Sequence, residues 1–178
     1  ALFKDSEKPK YDLIIGNPPY KKIGKDAPEA LAMPEVCHGA PNLYFLFAAM
    51  GIHNLQEEAE MVYITPRSWT SGAYFKNFRT YIFKHSVLTH IHLFGSRDKV
   101  FDKEEVLQET IIMRFKKTHT KPERITISST KTNRDFQQIR QMDVPYSVVV
   151  SGEKKYVHLI TAEEEIEVLD KLNRFGYT

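Results

Sequence analysis

The segment Tyr11-Asp12-Leu13-Ile14-Ile15-Gly16-Asn17-Pro18-Pro19-Tyr20 constrains the fold more than any other. Leu13 to Ile15 form an apolar run of the kind found in buried strands, and Gly16 with the proline pair stops it at once. Two adjacent prolines hold φ near about −65° and remove two backbone donors. The carbonyls of Asn17 and Pro18 are therefore left to point, rigidly, into a pocket at a strand's carboxyl end, where open α/β sheets hold their ligands. Asn17 adds a side-chain acceptor and Tyr20 a planar face. A planar group with an exocyclic amine can give both amine hydrogens to the two oxygens while its ring lies on Tyr20. The competing reading, a strand that merely ends in a proline-rich turn, suits a lone proline pair better than this four-residue sequence.

The rest of the chain reads as α/β. A loop over 21–41 with Pro28, Pro34 and Pro41 is long enough to be functional, and Lys21, Lys22 and Lys25 put three charges beside the expected pocket. Phosphate contact is the reading preferred for them over a solvated lysine turn. Apolar spacing predicts a helix over 42–57 with Leu43, Leu46, Phe47 and Met50 on one face. A short strand at 61–65 ends at Pro66. A second helix over 73–84 turns Phe75, Phe78 and Ile82 inward, with Lys76, Arg79 and Lys84 at polar positions. Strands follow at 87–94 and 109–117, then at 124–129 and 146–150. A last helix over 162–175 carries a Thr161/Glu164 capping box, a buried stripe of Ile166, Leu169 and Leu172, and Gly176 to close it. This order gives mostly parallel strands with a late antiparallel one.

Composition narrows the class only coarsely. The chain has 178 residues, 42% of them hydrophobic, and a formal net charge of +2, so a nucleic-acid surface must come from local clustering. No run approaches the roughly 18 apolar residues of a membrane span and no signal peptide opens the sequence, so no membrane partner is expected. The single cysteine, Cys37, suits a reducing cytoplasm. Cys37-His38 and the pair His90 and His92 lack recognisable zinc spacing, and no metal is expected.

Asn17-Pro18-Pro19-Tyr20 resembles the catalytic motif of amino-group methyltransferases, which move a methyl from S-adenosylmethionine to a planar nitrogen. With Asn42-Leu43-Tyr44, with Thr65-Pro66-Arg67-Ser68-Trp69 and with Val100-Phe101-Asp102 before the strand at 109–117, residues 11 to about 117 look like the second half of a DNA adenine-N6 methyltransferase of the restriction–modification type. Enzymes of that kind include fused endonuclease–methyltransferases.

The resemblance implies a partial S-adenosylmethionine-dependent, Rossmann-like sheet with helices on both faces. Residues 1–120 would belong to the catalytic domain, and 121–178 to an extension leading towards a target-recognition domain. It implies that Asn17 and the Pro18 carbonyl accept from the adenine amine, with Pro19 stiffening the turn. Tyr20 and Phe101 would hold a base flipped out of double-stranded DNA. Phe47, with Asn17, would adjoin the cofactor, while Lys21, Lys22, Lys25 and Arg67 would meet DNA. No Gly-x-Gly occurs, so the chain is expected to be a fragment without the cofactor-binding half and, alone, inactive. Strand 11–16 would then lie in mid-sheet in the complete fold. Its free edge in the fragment would be covered by self-association, by the first ten residues or by the tail. The motif alone leaves protein glutamine and RNA amines open as substrates, and a non-catalytic nucleic-acid-binding module is the alternative from another class.

Overall fold

The computed structural model describes residues 11–95, 109–131 and 136–175. The strands are β1 (Tyr11–Gly16), β2 (Leu55–Pro66), β3 (Val87–Phe94), β4 (Thr110–Lys116), β5 (Arg124–Thr130) and β6 (Arg140–Pro145). They form one sheet in the order β1-β2-β4-β3-β5-β6. β1, β2, β3 and β5 run one way, and β4 and β6 run against them. The late antiparallel strand read from the sequence is β4, inserted between β2 and β3. Its Ile111, Met113 and Phe115 line up with Thr65, Tyr63 and Met61 of β2 on one face.

That face is buried by α2 (Leu43–Asn54) and α3 (Lys76–His85). α2 begins where the Asn42 side chain accepts from the backbone N–H of Tyr44 at 3.3 Å, a cap that satisfies one orphan donor of the first turn. Phe45 of α2 and Phe78 of α3 lie 5.6 Å apart, and Trp69 packs edge-on against Phe78. Burying each such ring contributes about 1.5–3 kcal/mol. α2 is buried on nearly every side because the sheet, α3 and the loop before it enclose it. Tyr44, Phe45, Ala48 and Ala49 join Leu46 and Met50 in the core, whereas Leu43 and Phe47, expected inside, are only half-buried. Along β1, β2 and β4 the opposite face shows Leu13 and Ile15 to solvent and carries the Arg114–Glu60 ion pair. Among the described residues, helices cover only the other face of this part of the sheet.

The loop 21–42 is closed at its neck. Leu43 donates to Lys21 O at 2.8 Å, Ile23 to Pro41 O at 2.9 Å, and Lys22 bridges Asn42. Inside it, α1 (Pro28–Ala32) and a 3-10 turn at Pro34–Val36 bury Ala30, Met33 and Val36.

Several elements depart from expectation. The helix predicted to 57 ends at Asn54, and the strand predicted at 61–65 starts at Leu55. Glu58 sits at φ 66°, a left-handed residue inside β2, and the register jumps from Tyr11↔Leu55 to Leu13↔Glu60 around it. Residues 146–150, predicted as a strand, form α4 (Tyr146–Val149) and the start of a hairpin, β7 (Val150–Ser151) with β8 (Tyr156–Val157). The predicted stripe of α5 (Glu164–Arg174) is shallow: Ile166 and Leu169 are half-buried and Leu172 is exposed. Thr161 Oγ1 bonds Glu165 at 2.7 Å rather than Glu164. Gly176 lies outside the described residues.

Arg79, predicted on the polar side of its helix, has no solvent exposure. Its guanidinium donates to Trp69 O at 2.8 Å, Gly72 O at 2.7 Å and Lys154 O at 2.9 Å, and lies 5.0 Å from the centre of the Tyr156 ring. It thereby ties the turn after β2 to the β7–β8 hairpin. Ser128 of β5 bonds both His90 at 2.8 Å and His92 at 2.9 Å, and His92 also reaches Thr130 at 3.1 Å.

β1 is the outermost strand of the described sheet. Leu13 is 53% and Ile15 71% exposed. The described part of the tail lies elsewhere: β6 closes the far side of the sheet, and α4 packs on β5 and β6. A mid-sheet place for strand 11–16 is the expectation for the complete fold; in the described sheet the strand is terminal. Residues 1–10 lie outside the described residues.

Candidate active site

The carboxyl ends of β1, β2, β3 and β5 share one end of the sheet, and the Asn-Pro-Pro-Tyr turn leaves β1 there. β1 stops with Gly16 opposite Tyr63. A Cβ on Gly16 would stand 2.9 Å from the Tyr63 ring, so only glycine lets the strand lie this close. Pro18 is buried, Asn17 and Pro19 are exposed, and Tyr20 is half-buried.

Tyr20 folds back over the turn. Its hydroxyl lies 3.1 Å from Asn17 Oδ1 and 3.2 Å from Ile64 O, the carbonyl of β2 just beyond the last paired residue of β1. Its ring meets Tyr44 edge-on at 6.1 Å, and the Tyr44 hydroxyl in turn lies 3.4 Å from Ser68 Oγ. Burial pushes the Tyr20 hydroxyl up to about 12, so it keeps its proton at neutral pH. Burial raises Tyr44 as well, with the Ser68 contact pulling the other way.

Beside the turn, Phe47 and Gly51 of α2 face β1 across a shallow cavity of about 360 Å³, floored by Tyr63 and walled by Leu13 to Ile15. On its other side Gly51 lies against β2, where a Cβ would fall 2.7 Å from Met61 Sδ. Lys21, Lys22 and Lys25 follow the turn and are all exposed. Arg67 opens the 3-10 turn Arg67–Thr70 after β2, where its side chain is ion-paired with Glu109 and its N–H donates to Glu109 O at 2.9 Å. Its charge is thus already shared with Glu109. Phe101 lies outside the described residues.

The structure joins Asn17 to Tyr20 and sets Phe47 beside β1. Sequence reasoning missed Tyr44, Ser68 and the Ile64 carbonyl as neighbours of the motif. Tyr44 carried a faint signal as the second residue after a capping Asn42, whereas a backbone carbonyl carries none.

An α/β domain of methyltransferase type is the class to which these features belong. Residues 1–101 match the Eco57I restriction-modification methylase family, and the chain belongs to that family. It is similar to the type II methyltransferase M.PstI of Providencia stuartii, with 35% identity over 172 residues, covering 96% of this chain and 34% of that protein. The chain thus spans about a third of the length of that relative. A modification subunit ascribed to a type I restriction enzyme of Vibrio vulnificus has the same fold, with TM-score 0.64, 13% identity, and coverage of 95% of this chain and 42% of that one. A Listeria monocytogenes protein described as a class I S-adenosylmethionine-dependent methyltransferase aligns at TM-score 0.56 and 16% identity, over 70% of this chain and 38% of that one.

Proposed function

We propose that this chain supplies the substrate side of a site-specific DNA adenine-N6 methyltransferase of a restriction–modification system, using S-adenosylmethionine. The observation that carries the reading is the Asn17-Pro18-Pro19-Tyr20 turn leaving a strand at the ligand-binding end of the sheet, with Tyr20 anchored to Ile64 O.

Asn17 Oδ1 and the Pro18 carbonyl accept the two hydrogens of the amine. Held there, the nitrogen lone pair turns out of conjugation and toward the electrophile. Positioning and fixed dipoles of this kind are the main device open to a transfer without a covalent enzyme intermediate. Tyr20, and Phe101 from the segment after β3, hold the flipped base and offset the unstacking cost of a few kcal/mol. The cofactor's chemical contribution is a methyl group on a sulfonium. The cavity between Phe47 and β1 fits its planar purine, because it is lined by the Phe47 and Tyr63 rings and by apolar side chains of β1. A glycine-rich turn for the rest of that molecule is not found in this sequence. Lys21, Lys22 and Lys25 contact phosphates, and residues 121–178 lead toward target recognition.

Asn17→Ala in the full-length enzyme is the test. Transfer to N6 should fall at least about a hundredfold, while DNA affinity, set mostly by phosphates, stays close to wild type. Parallel loss of binding and rate would count against the role given to Asn17.

A further inference from the structure

Tyr20 Oη faces two acceptors at nearly equal range, Asn17 Oδ1 at 3.1 Å and Ile64 O at 3.2 Å. A phenol has one proton and can satisfy only one of them fully. Ile64 O belongs to the backbone of β2 and cannot turn away. β1 ends opposite Tyr63, and Pro18 and Pro19 have no N–H with which to continue its ladder, so the hydroxyl supplies a donor the strand lacks. Asn17 is the adjustable partner. A half-turn of its amide exchanges oxygen and nitrogen of nearly identical shape, which is why such orientations are decided by the hydrogen-bond network.

We propose that the Tyr20 hydroxyl is a positioning group that sets the direction of the Asn17 amide: it gives its proton to Ile64 O, accepts from Asn17 Nδ2, and leaves Asn17 Oδ1 turned toward the incoming amine. This rests on the reading of Asn17 as the amine's acceptor. With the proton on Asn17 Oδ1 instead, the hydroxyl competes with the substrate for that oxygen. The aromatic face of Tyr20 and its hydroxyl therefore do separate work, one on the base and one through Asn17.

Tyr20→Phe keeps the face and removes the hydroxyl. In the full-length enzyme we expect kcat for N6 transfer to fall about fivefold, the scale of one neutral hydrogen bond. DNA affinity and the 2-aminopurine signal of base extrusion should stay at wild-type level. Asn17→Asp offers two equivalent oxygens that need no orienting, so in that background Tyr20→Phe should cost less than about twofold. A Tyr20→Phe enzyme with wild-type kcat, a loss matched by lost extrusion, or an undiminished penalty beside Asp at 17 would overturn the proposal. If Asn17→Asp is too slow to assay, the comparison of Tyr20→Phe with wild type decides alone. Failure of the wild-type enzyme to methylate N6 would refute the underlying reading of the site, not the relay.

Discussion

Replacing Arg79 with methionine keeps most of the side-chain volume and removes every donor. Of its three acceptors, Gly72 O also receives the N–H of Phe75 at 3.1 Å and stays partnered. Trp69 O and Lys154 O lose the guanidinium that holds them at 2.8 and 2.9 Å. Leaving the buried Trp69 carbonyl open costs about 1–3 kcal/mol, whereas Lys154 is exposed and water can take over at its carbonyl. Relief from burying the charge, which already pulls the guanidinium below its ordinary value, offsets part of the sum. We expect a net loss of about 1–2 kcal/mol, or roughly 2–8 °C in Tm for a chain of this size. Arg79→Lys, with a point charge in place of the planar fork, should fall between wild type and methionine. Thermal melts followed by circular dichroism measure the loss. Hydrogen exchange should speed up at both 67–72 and 150–157, the two segments the guanidinium joins. A methionine variant within 1 °C of wild type would show that the three contacts contribute nothing net.

Neutralising Lys21, Lys22 and Lys25 together should lower the salt slope of DNA binding by about 2.7 if each meets one phosphate; an unchanged slope in a filter-binding titration returns them to solvent. Burial, with help from His90, depresses His92 below its usual 6.5, so the unfolded chain binds more protons than the folded one. Stability from His92 is therefore complete above about pH 6.5 and is lost as pH falls through the lower folded value; urea midpoints from pH 7 to 5 should drop less in His92→Gln. As the outermost strand of the described sheet, β1 should draw copies of this chain together. Sedimentation equilibrium showing only monomer at high concentration would remove that expectation.

What can be read from the sequence is what is local. β3 was legible as 87–94 because an apolar, β-branched run is bounded by Ser86 and Gly95, and Asn17 and Tyr20 could be paired because three residues separate them. β2 was half-missed because Gln56, Glu57 and Glu58 are polar and exposed, on a stretch of strand that no helix covers. Tyr146-Ser147-Val148-Val149 has strong strand propensity, yet after Pro145 it closes into a helical turn that buries Tyr146, Val148 and Val149. Tertiary burial outweighs propensity there. Arg79 was misplaced because one of its partners lies 75 residues away. The anchoring of Tyr20 on Ile64, across 44 residues, was hidden for the same reason.

The tied neck of the loop between β1 and α2 has a consequence for how such chains can diverge. Because Lys21 to Ile23 are fastened to Pro41 to Leu43, the distance between the loop's ends is independent of what lies between them. Doubling the length of a closed loop costs only about 0.6 kcal/mol. The interior is not free throughout, since Met33 and Val36 plug the gap beside α2 and α3. Residues 38–40 are held by Tyr74, whose hydroxyl donates to Ala40 O. Insertions and deletions are therefore tolerable in the exposed stretch 24–26. There the chain can vary in length and charge from one enzyme to the next while the proline turn and the cap of α2 stay in register.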